Sequence, residues 1–397
     1  MAPYLAKLAA LAAVIAPLVF AAPASNLKVR NSDATNVVPD SYIVVYNDQV
    51  SAATAASHID RVSSLISKRD TDGIGATYDM DLLKGYQITA DEDTIQQIAA
   101  SPEVAYIEKD GKVQAWDLLT ESDAPYGLAR VSHRTLGTST SYVYDSSAGS
   151  GVTIYVVDTG IYIEHAEFGG RASFGANFIS GSPNTDEYGH GTHCAGTAAG
   201  TTYGVAKNAK LVAVKVLDKN GSGSFSGVIS GIQWVGNNAA PNSVLTMSLG
   251  GGQSSAVNSA VASTVRAGVT VVVAAGNSNA DASGYSPASE PTAITVGATD
   301  SSDTRASFSN WGSLLDIFAP GVNILSSWIG GRTATNTISG TSMATPHIAG
   351  LAAYLISLEG LSGPNAVVAR LQQLATSGRV TDAKSPKNLI GYNGSGL

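Results

Sequence analysis

Residues 151–157, 210–217, 244–249 and 269–275 are nearly unbroken apolar runs rich in valine and alanine. A strand with one wet face alternates apolar and polar residues, whereas a strand apolar at every position is covered on both faces. Such strands belong to parallel sheets flanked by helices. Segments with helical spacing fall between the runs, at 191–200, 226–237 and 256–267. The alternation predicts an α/β fold, a doubly wound three-layer parallel sheet, whose sites lie at the carboxyl ends of the strands.

The amino-terminal third has a different texture. Residues 41–46 alternate as a strand, 52–66 carry apolar residues at helical spacing, 78–89 hold a strand pair, 93–100 a helix behind Asp91 and Glu92, and 104–113 a last strand. The order βαββαβ is that of a small α+β, ferredoxin-like domain. A polar, irregular stretch from Gln114 to about Thr138 separates the two textures. Lys7, the apolar run 8–20 and Val19-Phe20-Ala21 read as a secretory signal over residues 1–21. A membrane anchor is the alternative, but the run is shorter than the roughly 20 residues a span needs, and Pro17 interrupts it. The expected organisation is a signal at 1–21, an amino-terminal domain at 22–115 and a main domain at 116–397, in agreement with a length of 397 residues, too many for one core.

The formal charge of −8 includes no basic cluster, which argues against nucleic acid or an anionic membrane as partner. Cys194 is the sole cysteine, so an exported chain of this kind is stabilised by packing or bound ions rather than by an internal disulfide.

Three segments carry chemistry. Asp158 follows the run 152–157 and precedes Thr159-Gly160, which places it at the carboxyl end of a buried strand. An aspartate there also caps turns. The Asp-Thr-Gly triplet occurs in aspartic peptidases too, but those need a second one, and none is present. In Gly189-His190-Gly191-Thr192-His193-Cys194-Ala195-Gly196 an imidazole stands at a helix start among small residues. Two histidines three apart suggest zinc, but the zinc-peptidase pattern needs a spacing of four with an adjacent glutamate. His193 reads as structural and Cys194 as a buried thiol. Ser339-Gly340-Thr341-Ser342-Met343-Ala344-Thr345-Pro346 precedes an apolar helix, which puts Ser342 where helix-end amides meet negative charge. A serine there is also an ordinary cap. Asn277, just past the run 269–275, offers a side-chain amide to an oxyanion or is a turn residue.

The constellation decides among these readings. Asp158, His190 and Ser342 occur in that order, 32 and 152 residues apart, each at a strand end or helix start. The order matches one of the known serine-triad arrangements and differs from two others, and the Gly-x-Ser-x-Gly elbow is absent. On these motifs, from about Ser41 to near its end, the chain resembles the subtilisin family, and within it the proteinase K branch of fungal secreted proteases.

The resemblance implies a secreted serine endopeptidase made as a zymogen, with residues 22–115 a propeptide that aids folding and inhibits until cut. By position, Asp158, His190 and Ser342 resemble the triad, and Asn277 with the Ser342 amide the oxyanion hole. Gly221, Ser222 and Gly223 resemble one substrate-binding segment and Ser248, Leu249 and Gly250 the other. Ala274, Ala275 and Gly276 resemble the wall of the primary pocket, whose small uncharged lining implies a broad preference for apolar or aromatic residues before the scissile bond. The carbonyls of Pro291 and Ala293 with the carboxylate of Asp316 resemble a structural Ca²⁺ site. Expected partners are protein and peptide substrates and the chain's own propeptide, with the enzyme a monomer. The disulfides of proteinase K have no counterpart, and the last 30 residues match its second, weaker calcium site poorly. Of two sequons, Asn393-Gly394-Ser395 is the expected glycosylation site, because Asn220-Gly221-Ser222 falls in a substrate segment. Two rival readings are a serine-carboxyl peptidase, which lacks such a histidine, and a catalytically inactive relative.

Overall fold

The computed structural model describes residues 29–397 apart from 33, 35–36, 67–72, 113–117, 136 and 138. The expected signal segment and the Gln114-Ala115 end of the amino-terminal domain lie outside these residues. The chain divides into two compact units, Met1–Lys112 and Val113–Leu397.

The first unit has the anticipated βαββαβ order. Its strands Val37–Tyr46, Gly73–Met80, Leu83–Thr89 and Val104–Gly111 and its helices Ala52–Ile66 and Glu92–Ala99 form a ferredoxin-like layer pair. In the sheet, Val37–Tyr46 and Leu83–Thr89 are central, and a short strand, Val29–Arg30, runs parallel outside Val104–Gly111. Val44, Tyr86, Ile88 and Ile107 from the strands meet Val62, Ile95 and Ile98 from the helices in one core. Asp91 caps the second helix, its Oδ1 accepting from Thr94 N at 2.8 Å, a contribution of about 0.5–2 kcal/mol.

Seven parallel strands make the body of the second unit, in the spatial order Ala172–Asn177, Lys210–Lys215, Thr153–Asp158, Val244–Met247, Thr270–Ala274, Ile294–Thr299 and Ile317–Pro320. The four apolar runs of the sequence are four of these strands. Their side chains alternate between two cores: Ile154 and Val156 pack on one face, Tyr155 and Val157 on the other. The helices Phe225–Asn238 and Ser255–Arg266 bury Val228, Ile232, Val235, Val257 and Val261 on the second face. The helices His190–Ala199 and Thr341–Glu359 cover the first. The latter helix is apolar all round and, apart from Ser342, buried from 341 to 356, as expected of an element enclosed by its neighbours. Among the described residues no helix is long and apolar enough to cross a membrane.

Strand order reverses at Thr153–Asp158: the next two strands lie on one side of it and the following four on the other. Open α/β sheets form their crevice at such a switch point, beyond the carboxyl ends of the strands. Asp158 is the last residue of that strand.

Candidate active site

Asp158 is fully buried, and its Oδ1 accepts from the next amide, Thr159 N, at 2.7 Å. His190 opens the helix His190–Ala199, and its Nδ1 donates to Asp158 at 2.8 Å (Oδ1) and 3.0 Å (Oδ2). So close an approach needs glycine at 191, since a Cβ there would stand 2.1 Å from the Gly160 carbonyl oxygen and 3.2 Å from the Asp158 Cβ.

Burial pushes an imidazole down, as at His193 and His347, both lowered to about 4. His190 feels the same desolvation as its largest influence. The Asp158 charge and hydrogen bond, with the Cys194 sulfur, outweigh it and hold His190 well above 6.5. Burial also pushes the Cys194 thiol up, so the sulfur stays protonated and Asp158 is the effective anion.

The ligand atoms of Asp158, His190 and Cys194 lie within 4.8 Å of one another. A thiol kept neutral by burial and an Nδ1 committed to a carboxylate suit an oriented base better than a metal centre. The two histidines do not converge either, since His193 Nε2 donates to the Ile324 carbonyl at 3.0 Å.

Ser342 is the second residue of the helix Thr341–Glu359. Its carbonyl accepts from Ser248 Oγ at 2.8 Å and from Cys194 Sγ at 3.5 Å. That oxygen is available because the residue four positions on is Pro346, which has no N–H to give it. Cys194 Sγ is also 4.0 Å from His190 Nδ1, so one sulfur touches both the serine backbone and the histidine. The Ser342 hydroxyl itself donates to the Ser248 carbonyl at 3.0 Å. Among the described residues no hydrogen bond joins it to His190. Catalytic hydrogen bonds are often long or poorly aligned before substrate binds.

Asn277 lies just past the strand Thr270–Ala274. Its Oδ1 accepts from Thr341 N (2.8 Å) and Thr341 Oγ1 (2.9 Å), which fixes the amide with Nδ2 turned away from Thr341. A methyl placed on Gly340 would stand 3.5 Å from Asn277 Nδ2 and 3.6 Å from Ser342 N. Two donors, with Met343 Sδ at 3.7 Å, therefore stand near one point beside Gly340, and a pair of convergent N–H groups is what a developing oxyanion requires.

A cleft of about 440 Å³ beside His190 is lined by residues of both 221–225 and 248–250. Both sequence-identified segments thus face one cavity. No acidic or other basic side chain lines it, and Leu217, Phe225, Val228 and Leu249 give it apolar walls. Ala274 and Ala275 are buried at the strand end and do not line this cleft; Gly276 N donates to Thr341 Oγ1 at 3.2 Å.

The Asp316 carboxylate accepts from Thr295 N at 2.9 Å through Oδ2 and from Lys387 Nζ at 2.6 Å through Oδ1. The co-ligands that the resemblance implies, the carbonyls of Pro291 and Ala293, are oxygens like this carboxylate, so the donors would suit a calcium ion in kind. Lys387 is the cation that pairs with this carboxylate in the structure.

The glycosylation expectation needs correction. Asn393 is 1 % exposed, and its Nδ2 donates to the Val143 carbonyl at 2.7 Å. That nitrogen would have to carry the glycan, so the folded domain does not accommodate one. Asn220, expected bare, is exposed. A residue that sequence reasoning passed over entirely is Asp186, a buried carboxylate in the loop before His190.

Residues 149–392 match the Subtilase family and residues 41–115 match Peptidase inhibitor I9. The chain is 62 % identical to subtilisin-like protease 2 of Pseudogymnoascus destructans over 98 % of each chain. It is 47 % identical to a cuticle-degrading protease of Metarhizium anisopliae, with 95 % of this chain and 97 % of the relative covered. A crystal structure of a cold adapted subtilisin-like serine proteinase superposes with a TM-score of 0.66 at 49 % identity, covering 68 % of this chain and 99 % of that one.

Proposed function

The chain belongs to the subtilase family of serine proteases and carries an I9 propeptide, and from that premise we propose that it is a secreted endopeptidase in which Ser342 is the nucleophile, His190 the general base and Asp158 the residue that orients it. The observation that carries the assignment is the pairing of the buried Asp158 with the partly exposed His190 at the sheet's switch point, beside a helix-start serine with two convergent amides. His190 takes the Ser342 proton as Oγ attacks the scissile carbonyl. Asp158 fixes the tautomer and stabilises the imidazolium, while Asn277 Nδ2 and Ser342 N hold the oxyanion. His190 then protonates the leaving amine, and water repeats the steps to release the acyl group.

Broad specificity with a preference for apolar or aromatic residues before the scissile bond is supported by a cleft with no acidic side chain and with apolar walls from Leu217, Phe225, Val228 and Leu249; the proposed pocket wall Ala274, Ala275 and Gly276 lies outside that cleft. Synthesis with a signal at 1–21 and a propeptide at 22–115, followed by self-processing to a monomer at 116–397, completes the reading. Reaction with a serine-directed phosphonate tests it: the mature protein gains one adduct, on Ser342. An unlabelled protein would revert to the inactive-relative reading, and activity peaking near pH 4 would favour a serine-carboxyl peptidase. Asn277→Ala is expected to lower kcat about 10²–10³-fold with KM little changed, a magnitude known from subtilisin itself and carried over to this relative.

A calcium ion held by Pro291, Ala293 and Asp316 would contribute stability and take no part in the reaction. At a concentration about 100 times its Kd it adds about 2.7 kcal/mol, so chelation should lower Tm by roughly 5–10 °C while initial rates stay the same. Asp316→Asn should lose that response in a melting curve taken with and without chelator. A wild type indifferent to chelator removes the site.

A further inference from the structure

We infer that Asp186 is a positioning residue that locks the two halves of the Asp158–His190 pair together, an inference that rests on the catalytic reading above. Its carboxylate is 4 % exposed and accepts five hydrogen bonds. Oδ1 takes Thr159 Oγ1 at 2.8 Å, Tyr188 N at 3.0 Å and Gly189 N at 2.8 Å. Oδ2 takes Thr192 N at 2.9 Å and Thr192 Oγ1 at 2.7 Å.

The identities of these donors give the carboxylate its significance. Thr159 follows Asp158, and its amide holds the Asp158 carboxylate. Gly189 and Thr192 bracket His190. Thr159 Oγ1 also accepts from Gly191 N at 2.9 Å, so the hydroxyl that Asp186 orients binds the residue after the histidine. From the far side Lys215 Nζ, fully buried, donates to the Thr159 carbonyl at 2.7 Å. One buried anion thus ties the end of the central strand to the start of the histidine helix, the two elements whose separation sets the 2.8 Å contact between Nδ1 and Oδ1. A carboxylate serving only as a helix cap would need the bonds to Gly189 and Thr192 and would have no use for Thr159. Asp186 touches neither substrate nor the reacting atoms, and it acts through the pair.

The neutral amide in Asp186→Asn can replace one oxygen but presents N–H where Thr192 N must find an acceptor, so the helix start shifts. Misplacements of an ångström or less at a catalytic group cost up to about 100-fold. Mature Asp186→Asn, made from the full chain, should therefore lose about 10–100-fold in kcat with KM nearly unchanged. The acid limb of its pH profile should also move to lower pH. The titratable groups facing His190 are Asp158 from the strand and Cys194 from its own helix, with His193 neutral nearby; a looser Asp158 contact leaves the imidazole easier to deprotonate. Thr159→Val cuts the link while keeping Asp186 and its bonds to the helix, and should shift kcat and the acid limb the same way with a smaller change in Tm. It also decides the matter if Asp186→Asn fails to mature. A fall in Tm with kcat and acid limb unchanged in either variant would reduce Asp186 to a helix cap and overturn the inference. Phosphonate labelling of Ser342 in the wild type separates the two failures, because an unlabelled wild type overturns the catalytic reading as well.

Discussion

Ser342→Ala is expected to lower kcat on a peptide substrate by about 10⁶-fold, the loss known for the nucleophile of subtilisin and carried over to this relative. It should also leave the precursor at full length. Ser342 sits in the first turn of the helix Thr341–Glu359. Its first turn is fixed without the hydroxyl: Thr341 N and Oγ1 donate to Asn277, and the Ser342 carbonyl accepts from Ser248 and Cys194. Removing Oγ deletes one hydrogen bond, to the Ser248 carbonyl, worth about 0.5–1.5 kcal/mol. The variant should therefore fold, and the loss of rate belongs to chemistry rather than to stability. Intact mass of the product from a protease-free host reads the processing, and a normal mature mass would end the self-processing proposal. A kcat loss below about 100-fold would remove Ser342 as nucleophile, since the oxyanion donors and substrate binding alone leave a residual rate only about 10³–10⁴ above water.

The fold was legible wherever a local pattern reports a global position. Runs apolar at every position can be satisfied only between two layers, so 151–157, 210–217, 244–249 and 269–275 announced their strands to within about two residues. Ala172–Asn177 did not, because it is an edge strand of half-buried residues. Ile294–Thr299 is fully buried yet contains two threonines and Gly297, where a Cβ would stand 2.6 Å from Leu315, so its burial is a property of neighbours. At the site, Asp158, His190, Ser342 and Asn277 each stood next to an apolar run or at a helix start, and their order was distinctive. Asp186 had no such marker. It sits in a polar loop beside Glu187, and only the third dimension gathers five donors around one of the two acids. Asn393 failed for the same reason in reverse: a sequon is three residues long, while the carbonyl that buries its amide is 250 residues away.

Asp158→Asn should lower the plateau of kcat/KM by about 10⁴-fold and move its acid limb to lower pH. Three histidines of the main domain have displaced titration, His193 and His347 buried and His190 partly buried, and they give the sign. His193 and His347, without a carboxylate partner, are pushed down to about 4 by burial. His190 is pushed by burial in the same direction but stands well above 6.5 because Asp158 favours its charged form. A general base works only when neutral, so in the wild type activity grows as pH rises through that elevated value, which gives a neutral-to-alkaline enzyme. Asparagine keeps the shape of the side chain and removes its charge. The His190 pKa then falls toward the range of the other two, and the base becomes available at lower pH even as it loses the anion that steadies its imidazolium and fixes its tautomer. Two opposite effects, a lower plateau and a more acidic limb, must appear together. Asn277→Ala serves as the contrast, since it removes an oxyanion donor while leaving His190 and Asp158 in place, and it should lower the plateau with the limb unmoved. Initial rates across pH for the two variants and the wild type measure both features, and an Asp158→Asn limb coincident with the wild-type one would mean that His190 is not the group whose deprotonation sets the rate.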